Sequence, residues 1–82
     1  MIFGETVTIS IEQYVGNALV SKETVTNIPF VLEMMMKDLI AQTAQFNQPR
    51  KVKFIRTVPI YDKETNTTKY IECYIEFQNW RD

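Results

Sequence analysis

Apolar and polar residues alternate along three stretches of this chain and follow a helical repeat along a fourth. From Phe3 to Glu12, the residues Phe3, Val7, Ile9 and Ile11 alternate with Thr6, Thr8, Ser10 and Glu12. A period of two with one polar face predicts a half-buried strand, and the β-branched content agrees. Arg50 to Tyr61 and Lys69 to Gln78 read as two more strands. Val52, Phe54, Val58 and Ile60 share a face of the first, and Ile71, Cys73, Ile75 and Phe77 a face of the second. The polar run 62–68 between them makes the pair an antiparallel hairpin, with Asn66 suited to a left-handed turn position. The two apolar faces must coincide, because a slip of one residue would turn the whole set outward.

Asn27 to Phe46 carries the helical repeat. Ile28, Val31, Leu32, Met35, Met36, Leu39, Ile40, Thr43 and Phe46 form one broad stripe, wide enough to cover a small sheet. Asn27 is the expected N-cap, and Pro29 suits the first turn, where its missing N–H costs nothing. Asn47 is the expected left-handed C-cap, and Pro49 forbids continuation. The opposite side holds Lys37 and Glu33, but also Phe30, Met34 and Ala41. Two explanations stand for that apolar pair. Residues 13–26 fold over it or the helix is more deeply buried than a surface helix, or else it is a partner or self-association face, for which Met-rich surfaces are suited.

Residues 13–26 have two readings. Gly16-Asn17 fits a hairpin turn leading into a strand over 18–26. Ser10 followed by Gln13 fits a capping box and a short helix over 11–22. The strand is preferred, because the segment is rich in Val and Thr and Gly16 would weaken a helix by about 1 kcal/mol. The expected fold is therefore α+β: a single domain over 1–82, with a mostly antiparallel sheet of three to four strands. One long helix packs on one face, in the order β(β)αββ.

Composition narrows the chemistry. Nine basic and ten acidic residues leave a net charge of −1, which fits neither a polyanion mimic nor a strongly basic nucleic-acid binder. The N-terminal residues do not read as a signal peptide, and no apolar run is long enough to span a bilayer. With a single cysteine, these features predict a cytoplasmic protein without membrane association. There is no histidine, which removes the commonest general base and metal ligand. Cys73, between Ile71 and Ile75 on its face, is expected to be buried and unreactive. Gly4 and Gly16 are isolated, so no phosphate-binding loop is present. Successive helical residues point about 100° apart, so Met34, Met35 and Met36 do not converge on a metal. Glu72 and Glu76 lie about 13 Å apart along a strand, too far to share a proton. No catalytic residue, metal site or cofactor is expected.

Two binding surfaces remain. One is the helix back face of Phe30, Met34, Lys37 and Ala41. The other is the hairpin, where residues 50–69 hold six basic side chains against two acidic ones. Lys51, Lys53, Tyr61, Tyr70, Tyr74 and Trp80 fall on its far face. Arg56 falls on the core side, where an edge position would let its guanidinium reach solvent. Basic and aromatic residues on a sheet can hold single-stranded nucleic acid, but Glu72 and Glu76 share that face and repel phosphate. Tyr, Trp and Arg serve a protein partner equally well. The leading expectation is a small non-enzymatic protein-binding module, with a homodimer as one form of its association. A phage or mobile-element inhibitor docking on a bacterial host protein fits its size and acidity. The alternative is a nucleic-acid-binding accessory protein that uses the hairpin face.

Overall fold

The computed structural model describes residues 5–80. Phe3 and Gly4, which the alternation assigns to the first strand, lie outside that range. Four strands and one helix follow in the order β1 (Val7–Val15), β2 (Ala18–Asn27), α1 (Pro29–Ala44), β3 (Arg50–Asp62) and β4 (Thr67–Gln78). The sheet order is β2-β1-β3-β4, antiparallel throughout. This is the expected α+β architecture, with 18–27 as a strand and no helix over 11–22. Gly16 makes the hairpin turn with φ +60°, and Asn66 makes the second turn with φ +54°.

Register places the core. Ile11 lies opposite Phe54 in β3, and Ile9 lies opposite Val25 in β2. Val52 faces Phe77 and Phe54 faces Ile75, so the two apolar faces of the C-terminal hairpin do coincide. Ile9, Ile11, Val52 and Phe54 are buried with Leu32 of α1, and Met35, Met36, Leu39 and Ile40 pack against them. The helical stripe read from the sequence is thus the buried one, save that Phe46 is exposed and lies against the Arg50 guanidinium at 4.0 Å.

Both helix ends differ from expectation. The N-cap is Ile28, whose backbone is extended (φ −69°, ψ 150°), because a residue before proline is driven out of the helical region. Asn27 sits one residue earlier and accepts the Ile28 N–H through Oδ1 at 2.8 Å. At the other end Asn47 is not left-handed. Asn79 takes over the role of a cap from a distance. Its Nδ2 donates to the carbonyls of Thr43 (2.9 Å), Phe46 (3.2 Å) and Gln48 (3.2 Å), while its Oδ1 accepts the Arg50 N–H at 2.7 Å. A tight local turn shares the work: the Gln45 N–H donates to the Gln42 carbonyl at 3.1 Å and the Phe46 N–H to the Thr43 carbonyl at 3.4 Å.

β1 ends its pairing with β3 at Ile9–Arg56. Beyond that point, among the described residues, 57–62 and 67–72 pair only with each other, as a two-stranded arm. The arm stretches the molecule to 50 × 34 × 19 Å and its radius of gyration to 15.5 Å. A compact chain of this length would have about 12 Å.

Candidate functional site

α1 lies mainly over β3 and reaches β4 only in part. This leaves three regions of the described surface uncovered. On the back of α1, Phe30 is 68% exposed and Met34 53%. They are four residues apart and so lie one above the other on one face. Lys37 and Ala41 are exposed on the same side, and Lys37 pairs with Glu33 at 3.2 Å. β2 runs along the far edge of the sheet and does not fold across α1. The cover that residues 13–26 were expected to provide is absent, because they are committed to pairing with β1.

Between the N-terminal half of α1 and β4 lies an open groove of about 350 Å³, with Pro29, Leu32, Met36, Phe54, Cys73 and Ile75 among its lining. Cys73 is exposed there, against the expectation of burial. The alternation placed it correctly on the helix side. What pattern cannot give is how far the helix reaches, and on this strand Ile71 and Ile75 are themselves 47% and 59% exposed. Arg56 is also on the helix side, but β3 is an inner strand and not an edge. It is exposed because it sits at the root of the arm, opposite Ile9 and Cys73.

The far face of the sheet is closely paired. Tyr14 donates to Glu12 at 2.7 Å, and Lys22 approaches the same carboxylate at 3.7 Å. The tyrosine hydrogen bond, aided by Lys22 and Lys53, holds the Glu12 carboxyl below its ordinary 4.5. The same bond to an anion raises Tyr14 above its ordinary 10.0. Lys51 pairs with Glu76 at 3.5 Å and lies over the Tyr14 ring at 4.4 Å. Lys53 lies over the Tyr74 ring at 4.1 Å. Tyr61 hydrogen-bonds Asn66 beside the arm's turn, Tyr70 stands exposed on the arm, and Trp80 is half-buried. The basic residues of 50–69 therefore form no single patch. Lys51 and Lys53 are occupied on the far face, while Arg50 and Arg56 lie on the helix side.

Sequence reasoning missed three features of this surface. Asn79 carries no periodic signal, and its role depends on contacts across more than thirty positions. The Tyr14–Glu12 pair was hidden in the segment of uncertain path. Exposure of Ile71, Cys73 and Ile75 follows from helix length and placement, which no strand pattern encodes. Among the described residues no group of three His, Cys, Asp or Glu gathers as metal ligands would, and no helix is long and apolar enough to cross a membrane. No family model matches the chain, and neither a curated protein nor a solved structure shows significant similarity to it.

Proposed function

We propose that this protein is a non-enzymatic docking module that binds another protein through the back of α1. The observation that carries the reading is the exposed pair Phe30 and Met34, one helical turn apart. Such a pair suits an apolar pocket on a partner, in the manner of helix-in-groove recognition. Burying each of the two would contribute about 2 kcal/mol. Lys37, Glu33 and Ala41 supply a polar and small-residue rim on the same side. The class that fits is a small cytoplasmic inhibitor or regulator, of phage or mobile-element type, directed at a bacterial host protein. Nucleic-acid binding through the hairpin is disfavoured, because Lys51 and Lys53 are engaged by Glu76, Tyr14 and Tyr74.

The test is affinity capture from bacterial lysate, after nuclease treatment, with the wild type and a Phe30→Asp/Met34→Asp variant side by side. A protein held stoichiometrically by the wild type and lost by the folded variant is the expected result. Partners that disappear with nuclease, or that the variant retains, would overturn it.

A further inference from the structure

Strand edges are templates for further pairing, and folded proteins usually blunt them with charges, bulges or proline. Among the described residues this sheet has three open edges, and two are blunted. β2 carries a bulge: Gln13 faces Ser21 and Tyr14 faces Leu19, leaving Val20 as the extra residue, and Lys22 and Glu23 stand near its middle. On the arm, the outer edge of β3 carries Pro59. The Gly16 N–H donates to the Pro49 carbonyl at 2.8 Å, so odd-numbered β3 residues address β1. Beyond the end of β1, Pro59 thus stands where an outward N–H would be, and supplies none.

β4 has charges at Lys69, Glu72 and Glu76 but neither a bulge nor a proline. It is twelve residues long, regular and free of proline. The Asn79 N–H donates to the Arg50 carbonyl at 3.0 Å, so odd-numbered β4 residues address β3. Tyr70, Glu72, Tyr74 and Glu76 then turn their N–H and C=O groups to the open edge. Beside that edge stand the exposed Ile71, Cys73 and Ile75 on the helix side and Tyr70 and Tyr74 on the far side.

We infer that β4 pairs antiparallel with β4 of a second copy, about a two-fold axis at Cys73, to give a continuous eight-stranded sheet. Charge and apolar matching favour this register over those centred on Ile71, Glu72 and Tyr74. Side chains directly opposite must share a face, which restricts the axis to a residue of β4. Centring on Glu72 opposes it to the partner's Glu72. Centring on Tyr74 opposes Glu72 to the partner's Glu76. Both place like charges together. Centring on Ile71 sets Cys73 against the partner's Lys69 and Ile75 against the partner's Thr67, leaving the apolar side chains unmatched. Centring on Cys73 sets Ile71 against the partner's Ile75 and Cys73 against the partner's Cys73. On the other face it sets Tyr70 against the partner's Glu76 and Glu72 against the partner's Tyr74. No like charges oppose, and the exposed isoleucines become matched pairs that extend the core past the reach of α1. Both helices lie on one side of this sheet, so the dimer presents two Phe30–Met34 faces together. Self-pairing of β4 uses a different surface from the docking face and does not depend on it.

Cysteine chemistry tests the register. As an odd-numbered residue, Cys73 would occupy a non-hydrogen-bonded pair, with Cα atoms about 4.5 Å apart, inside the roughly 4.4–6.8 Å range of disulfides. The full chain is expected to sediment at twice its 9.7 kDa mass, and diamide is expected to link it through Cys73. Two further variants, Ile71→Cys/Cys73→Ser and Ile75→Cys/Cys73→Ser, are expected to cross-link when mixed and not when alone. Each cysteine alone would sit about 13 Å from its own copy. Glu72→Pro removes an outward N–H and the Glu72 carboxylate while leaving the β3–β4 ladder its hydrogen bonds, and is expected to give a folded monomer. A monomer at about 100 µM, a dimer that persists in folded Glu72→Pro, or no preference for the mixed cross-link would each overturn the proposal.

Discussion

Asn79 joins three parts of the chain at one side chain. It ties the end of α1, the loop before β3 and the first residue of β3 to the residue just past β4. Asn79→Ala would leave the part-buried Arg50 N–H without this acceptor and weaken the bonding of the part-buried Thr43 carbonyl, at a cost of about 1–3 kcal/mol. For a domain of this size, thermal unfolding monitored by circular dichroism should then fall by roughly 10 °C. Tyr14 and Glu12 are the second sensitive point. Glu12 titrates below 4.5 in the fold, so its contribution is present above that pH and is lost as pH falls through the depressed value. Tyr14 titrates above 10.0, so its contribution holds below that pH and is lost as pH rises through the raised value. The gap in urea midpoint between wild type and Tyr14→Phe should therefore be widest near neutrality and narrow at both extremes. A gap that does not change with pH would mean that the hydroxyl bond is unimportant.

At the scale of elements, the strands and the helical stripe were legible because each buries one side of a regular repeat. The helix start was displaced by one residue, for a local reason: Pro29 forces Ile28 to stay extended. The helix end was misread because its carbonyls are satisfied by a right-handed turn at Gln45 together with Asn79, a long-range partner that no local pattern announces. Arg56 and Cys73 were placed on the correct face and given the wrong surroundings. Their exposure depends on where β1 and α1 stop. The arm is the element with the least support, since an isolated two-stranded hairpin is marginal in water. Amides of 58, 60–62 and 67–71 should exchange with deuterium faster than those of Ile11 and Val52, as mass spectrometry of peptic fragments would report. Equal protection along β3 would contradict an arm held only by its own hairpin.

At the scale of the molecule, the sheet and one helix enclose a small core around Ile9, Ile11, Leu32, Val52 and Phe54. Apolar side chains beyond it remain on the back of α1, along β4 and on the arm. The leftover pair Phe30 and Met34 was visible in the helical repeat, but its status was not, because the path of residues 13–26 decided whether it was covered. The central claim is that this pair belongs to binding and not to folding. Urea unfolding of Phe30→Asp/Met34→Asp against the wild type tests that claim most directly. Exposed positions predict a stability within about 0.5 kcal/mol of the wild type and an unchanged far-ultraviolet spectrum. A loss of 3 kcal/mol or more, the scale of charging a packed core, would make the back of α1 part of the core and remove it as a docking face.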